Sequence, residues 1–110
     1  MPYGNLTYSS SQIGKDSEIA AKVTSVVSKS LGKPIDYICV NVNKTESLYF
    51  AGSNDPSAMV QIQAIGGNLS SIAAPLTETI SSLLLIPPER IFINYTAYAG
   101  NSWAMNGRTF

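Results

Sequence analysis

Leu31-Gly32-Lys33-Pro34-Ile35-Asp36-Tyr37-Ile38-Cys39-Val40-Asn41-Val42 holds the end of one helix and the start of one strand. Gly32 tolerates the left-handed conformation that closes a helix, and Pro34 prevents the helix from resuming. Working back from Leu31, the apolar residues Ile19, Ala20, Val23, Val26 and Val27 recur at helical spacing, with Lys22, Ser25 and Lys29 opposite. This predicts an amphipathic helix over residues 17–31 with one buried face. Asp16 or Ser17 can cap it, because a short side-chain oxygen can accept the free N–H groups of the first turn. Ser9 to Gly14 is a polar connector. Before it, residues 2–9 alternate, with Tyr3, Asn5 and Thr7 on one side and Gly4, Leu6 and Tyr8 on the other, and read as a strand. Forward from Pro34, Tyr37 to Val42 is apolar and β-branched and reads as a central strand. Strand, helix and strand make a crossover, which sets two strands parallel with the helix on one face.

The same punctuation returns 54 residues later: Pro88 stands to Pro34 as Pro56 stands to Pro2. By that shift the helix at 17–31 maps onto 71–85, where Ile72, Leu76, Ile80, Leu83 and Leu84 share a face. Pro75 lies near its start, where a missing N–H costs little, and Pro87-Pro88 stops it. Met59 to Ile65 and Ile91 to Tyr95 read as the flanking strands. Leu48-Tyr49-Phe50 reads as a short strand, Gly52 to Pro56 as a loop, and Gly100 to Phe110 as a turn plus a short strand. A duplicated β-α-β unit predicts an α+β fold: a four-stranded mixed sheet with two helices on one face, in a single domain over residues 1–110. The other face stays open and carries apolar residues in every strand, so it needs cover. Identical subunits in a ring could supply it, with the short strands at 48–50 and 103–105 adding across the boundaries.

Composition narrows the function. A chain of 110 residues, 45% of them hydrophobic, makes one small globular domain, for which oligomerisation is a reasonable way to bury more surface. Seven basic and seven acidic residues cancel, and the basic ones are dispersed, which argues against nucleic acid as a partner. Cys39 is the only cysteine, so an internal disulfide and a cysteine zinc site are excluded, and its strand surroundings predict a buried thiol. With no His either, a transition-metal site is not expected. No apolar run is long enough for a membrane span, and the N-terminus lacks the basic and apolar regions of a signal peptide. A cytoplasmic location follows, with release by a route that uses no signal peptide as the alternative. The four Asn-x-Ser/Thr sequons, at Asn5, Asn43, Asn68 and Asn94, read as chance occurrences without a secretion signal.

One residue near the start has chemical promise. If Met1 is cut away, Pro2 becomes a secondary amine, and an α-amino group, with a pKa of about 8, needs only a modest downward shift to act as a base at neutral pH. In a chain without His it is the natural proton carrier near pH 7. The plainer reading is that Pro2 merely begins an edge strand.

The chain resembles the macrophage migration inhibitory factor family of the tautomerase superfamily over nearly its whole length. The resemblance rests on Met1-Pro2, on Leu31-Gly32-Lys33-Pro34 with Tyr37-Ile38, and on Phe50-Ala51-Gly52-Ser53-Asn54-Asp55-Pro56. It continues through Ala64-Ile65-Gly66-Gly67, Pro88-Glu89-Arg90-Ile91-Phe92-Ile93-Asn94 and the ending Trp103-Ala104-Met105-Asn106-Gly107-Arg108-Thr109-Phe110. It implies a homotrimer, with a cofactor-independent keto–enol tautomerase site for phenylpyruvate-type aryl 2-oxo acids at each subunit boundary. Pro2 matches the family's base, Lys33 the residue that meets the substrate carboxylate, and Ile65 a backbone N–H contact. Asn94 matches a polar contact from the neighbouring subunit. Tyr37, Phe92, Trp103, Met105 and Phe110 match the pocket wall, the last four again from the neighbour.

The chemistry fits these residue types. A neutral amine can take a proton from carbon and return it to oxygen. A lysine cation nearby orients a carboxylate and disfavours protonation of the amine, and apolar walls act in the same direction. Without the resemblance, Lys33 reads as a helix C-terminal cation, Phe92 and Ile65 as core, Asn94 as a strand-end hydrogen bonder, and Trp103 as an interface residue.

Departures from the family pattern are also legible. Phe92 stands where many members carry Tyr, which removes one hydroxyl from the pocket. Ser57-Ala58-Met59-Val60 replaces the Cys-x-x-Cys of the animal proteins, so thiol–disulfide chemistry does not carry over. The segment between Gly67 and Pro88 is shorter than usual. A competing function is a cytokine-like protein that binds a receptor and keeps a vestigial pocket. Dehalogenase- or decarboxylase-like chemistry needs a further Arg or Glu near the base, and Arg108 is the only Arg in the tail.

Overall fold

In the computed structural model, which describes residues 1–110, strand β1 (Tyr3–Ser9) buries Gly4, Leu6 and Tyr8 and turns Tyr3, Asn5 and Thr7 the other way. Helix α1 (Asp16–Leu31) buries Ile19, Val23 and Val27, three of the residues whose spacing predicts it. Neither Asp16 nor Ser17 caps it. The cap position is Lys15, with no side-chain hydrogen bond, and Asp16 lies inside the first turn. The Asp16 carboxylate instead accepts the Tyr8 hydroxyl and ties β1 to the start of the helix. Gly32 closes α1 at φ 65° and ψ 37°, and its N–H donates to the Ser28 carbonyl.

A 3-10 turn over Ile35–Tyr37 follows, so strand β2 (Cys39–Lys44) starts later than its composition implies. It pairs parallel to β1, Tyr3 opposite Cys39 and Thr7 opposite Asn43. Strand β3 (Ser57–Ile65) pairs antiparallel to β1, and strand β4 (Ile91–Tyr98) parallel to β3. The order β2-β1-β3-β4 makes β2 an edge strand, where the sequence reads a central one. Cys39 is accordingly exposed rather than buried, because it lies on the outward side of that edge.

No strand forms at 48–50; Phe50 makes a single bridge to Ser53. The loop is held instead by the Arg90 guanidinium, which donates to the Ser53, Asp55 and Pro56 carbonyls at 3.1, 3.0 and 2.9 Å.

Helix α2 (Ala73–Leu84) buries Ile72 just ahead of its start together with Leu76, Ile80 and Leu84. A 3-10 turn at Leu69–Ser71, capped by the Asn68 side chain, leads into it. Pro75 falls in the first turn, where its missing N–H breaks no helical bond. The helices cover one face of the sheet, and Leu6, Tyr8, Val60 and Ile62 meet Val23, Val27, Leu76 and Ile80 between the layers. The chain ends in a hairpin, β5 (Ala104–Met105) and β6 (Arg108–Thr109), turned by Asn106-Gly107 with φ 54° and 76°. No helix is long and apolar enough to cross a membrane.

The open face carries Tyr3 on β1, Cys39 on β2, Met59 and Ile65 on β3, and Phe92 and Tyr98 on β4. Between them runs a row of amides in register, Asn41, Asn5, Gln61 and Asn94. Asn41 donates to Asn5 at 3.0 Å and Asn5 to Gln61 at 3.4 Å. The uncovered surface is therefore mixed, with hydrogen-bonded amides across its middle.

Candidate active site

Pro2 is buried, and its carbonyl accepts the Cys39 N–H at 3.1 Å, which anchors the chain start between β1 and β2. Because Tyr3 lies opposite Gln63 on β3, Pro2 sits at the end of the sheet where β3 and β4 finish at Ile65 and Tyr98. The turn before β2 brings Tyr37 to the same end, and the closing turn of α1 supplies Lys33. Two Ser28 bonds hold that closing turn: Lys33 N–H donates to the Ser28 carbonyl at 3.1 Å, and Ser28 Oγ donates to the Lys33 carbonyl at 2.6 Å.

The electrostatics of this corner act on the chain start. The Met1 amino group is held below its ordinary pKa of 8.0, first by burial, which penalises the charged form, and then by the positive charge of Lys33. An amine at this corner is thus biased toward its neutral, basic form.

Aromatic side chains wall the region. Tyr37 meets Phe110 edge-on with ring centroids 5.8 Å apart, and Trp103 meets Tyr98 edge-on at 6.0 Å. A cavity of about 320 Å³ opens beside them, lined by Gln63, Tyr98, Ser102 and Trp103. A larger depression of about 590 Å³ lies on α2, lined by Ala73, Ala74, Thr77, Glu78, Ser81, Ser82 and Pro88. Glu78 is its only titratable group, and it is formed by residues remote from the chain start, so it is not the candidate site. No cluster of three His, Cys, Asp or Glu side chains comes together anywhere.

One chain therefore gathers Pro2, Lys33, Tyr37, Ile65, Trp103 and Phe110 at one end of the sheet. By the family resemblance Trp103 and Phe110 come from a neighbour; in the single chain both rings already stand at this end, beside Tyr98 and Tyr37. The terminal hairpin folds back on its own chain, with the Phe110 N–H donating to the Trp103 carbonyl at 3.1 Å, and delivers both rings locally. Met105 is half-exposed on that hairpin.

Phe92 and Asn94 are different. They lie opposite Met59 and Gln61, toward the other end of the sheet from Ile65 and Tyr98. At about 3.3 Å per strand residue, Phe92 is roughly 20 Å from the Tyr98 end of β4 and cannot reach Pro2 of its own chain. Phe92 is 62% exposed. Its ring packs on Phe50 with centroids 4.6 Å apart, and the Arg90 guanidinium lies 5.2 Å from the Phe50 ring centre. Phe50 as a support for Phe92 is absent from the sequence reading, which assigns it to a strand. The pairing depends on Arg90 closing the 50–56 loop, a contact between distant parts of the chain.

The chain is similar over its whole length to proteins of one known family. The family description "macrophage migration inhibitory factor (MIF)" matches residues 1–110. A macrophage migration inhibitory factor homolog from Brugia malayi is 33% identical over 114 residues, covering 100% of this chain and 99% of that protein. Among solved structures, the macrophage migration inhibitory factor of Toxoplasma gondii is 30% identical with a TM-score of 0.86, covering 98% of this chain and 99% of its own. The MIF-like protein of Entamoeba histolytica is 26% identical with a TM-score of 0.88, covering 99% and 98%. The duplicated β-α-β units, the mixed sheet and the full-length match lead to one conclusion: the chain belongs to the macrophage migration inhibitory factor family.

Proposed function

We propose that this protein is a cofactor-independent keto–enol tautomerase of aryl 2-oxo acids such as phenylpyruvate, with Pro2 as its base once Met1 is removed. The observation that carries this reading is the chain start itself: buried, facing Lys33, and held at a sheet end walled by Tyr37, Phe110 and Trp103. Lys33 and the Ile65 backbone N–H hold the substrate carboxylate. The neutral Pro2 amine takes a proton from the carbon between the keto group and the aryl ring. The C–H electron pair moves into the new C=C bond, and the carbonyl pair moves onto oxygen. The Pro2 cation then returns the proton to that oxygen, so the enol leaves with the substrate's atoms and the amine is restored. An aryl ring suits the aromatic walls.

The working unit in this proposal is a homotrimer. Phe92 and Asn94 lie too far from their own Pro2 and complete the site of the next subunit, with Phe50 and Arg90 behind Phe92. The terminal hairpin and residues 48–50, which pair with no other strand of their own chain, are the segments available to add across the boundary. Phe92 offers no hydroxyl, so the enolate oxygen relies on the returning Pro2 proton and on Asn94.

Enolisation of phenylpyruvate by the Met1-free protein is the test. Pro2→Gly is expected to lower kcat/KM by about 10²–10⁴, the usual contribution of a positioned base. Turnover equal to the parent's contradicts the assignment.

A further inference from the structure

Tyr95 lies between Asn94 and Thr96 on β4, but its side chain points to the helix layer rather than the open face. Its hydroxyl donates to the Gly66 carbonyl at 2.6 Å. The Gly66 N–H donates to the Tyr98 carbonyl at 3.1 Å. Both backbone polar groups of Gly66 are thus held by β4, and the two peptide units that follow Ile65 are clamped from the same strand. Gly66 and Gly67 have φ of +63° and +77°, a conformation that side chains with a Cβ rarely adopt.

Gly67 closes the device. A Cβ built there would collide with the Tyr95 hydroxyl and would lie 3.5 Å from Leu31 Cδ2. Leu31 is the last residue of α1, and Gly32-Lys33 follow it directly. The Tyr95 phenol, the bare Cα of Gly67 and the Leu31 side chain therefore form a packed strut. It spans from β4, across the turn after Ile65, to the turn that carries Lys33. Burial raises the Tyr95 pKa above its ordinary value of 10.0, so the hydroxyl stays a donor throughout the neutral range.

We propose that Tyr95 is a positioning residue for carboxylate binding: its bond to Gly66 and its packing on Gly67 fix the spacing between the Ile65 backbone and Lys33. This rests on the tautomerase reading, in which those two groups hold the substrate carboxylate. Tyr95 touches no substrate. It acts through the Ile65–Gly67 turn, and its effect falls on binding of the acid group rather than on proton transfer at Pro2.

The test uses Tyr95→Phe, which keeps the ring and removes the hydrogen bond, and Gly67→Ala, which pushes the hydroxyl away from the other side. The probes are phenylpropionate, an unreactive aryl carboxylate, and its neutral amide, titrated against the folded Met1-free protein by calorimetry. Phenylpyruvate kinetics run in parallel. The expected result for Tyr95→Phe is phenylpropionate binding weakened about 3–10-fold, the size of one hydrogen bond, with amide binding unchanged. KM for phenylpyruvate should rise by the same factor and kcat stay within twofold. Gly67→Ala should weaken the acid at least as much. Equal loss for acid and amide, or no loss for the acid, overturns the positioning role. Where Pro2→Gly abolishes turnover but Tyr95→Phe binds the acid like the parent, the positioning role alone fails. A parent protein that neither binds the acid nor enolises phenylpyruvate overturns both proposals.

Discussion

In the proposed mechanism Lys33 acts on the chain start and on the substrate through one charge, and the two effects can be separated by pH. Its ammonium helps hold the Met1 amino group below its ordinary pKa, second to burial, and should act the same way on the Pro2 amine once Met1 is removed. The base must be neutral to accept a proton, so kcat/KM should rise with pH along the amine's titration. Lys33→Gln removes the repulsion and should move that limb to higher pH. It should also raise KM roughly 10–100-fold, as expected when a charged hydrogen-bond partner is lost. A pH–rate profile of the two proteins checks both effects.

Tyr8 gives a second residue-scale expectation. Its hydroxyl is pushed up to about 12 by burial, then by its bond to Asp16 and by the Asp16 charge. A folded-state pKa raised above the unfolded value of about 10 contributes stability that is full below pH 10 and is lost as pH rises toward 12. Denaturant midpoints measured between pH 8 and 12 should fall across that window. In Tyr8→Phe the fall should be smaller, from a lower starting stability.

At the scale of elements, the helices were readable because their signals are local. Ile19, Val23 and Val27, and Leu76, Ile80 and Leu84, repeat at a helical period; Gly32 ends the first run, and Leu85, left-handed just ahead of Pro87-Pro88, ends the second. The 54-residue repeat then supplied the parallel pairs β1–β2 and β3–β4, since a strand–helix–strand crossover has few geometries open to it. What was not readable depends on partners far away in sequence. Whether β2 is central or an edge depends on which strand β1 pairs with on its other side, and so does the exposure of Cys39. Residues 48–50 have strand composition, but Arg90 ties the following loop into another shape. Asp16 has the chemistry of a cap and is drawn instead to Tyr8. Of the candidate site, Pro2, Lys33 and the aromatic residues are the ones the family motifs single out. The fold-back of Phe110 onto Tyr37 and the support of Phe92 by Phe50 were not legible, because each is a tertiary contact. Ile80 lies fully buried between helix and sheet, and Ile80→Ala should cost about 2–5 kcal/mol, read as a lower denaturant midpoint.

The whole molecule has an open sheet face and two sheet edges, and the candidate site residues Phe92 and Asn94 stand apart from Pro2 along β4. Phe92 lies near the start of β4 and Asn94 at its middle, and in the proposed assembly they complete the pocket of a second chain. Sedimentation should give a trimer of the 11.7 kDa chain. Co-refolding Pro2→Gly with Asn94→Ala should restore part of the activity each lacks, since a mixed trimer rebuilds some sites with an intact Pro2 from one chain and an intact Asn94 from the next. Activity no greater than the sum of the two separate proteins would place all functional residues in one chain. The central claim, that a free proline amine is the base, has a more direct measurement: phenylpyruvate enolisation by the Met1-free protein beside the same chain with Met1 retained. The two share every side chain of the site, and at Pro2 one offers an amine and the other an amide. The Met1-free form should turn over and the retained form should lose activity by about 10²-fold or more; equal rates would contradict the claim.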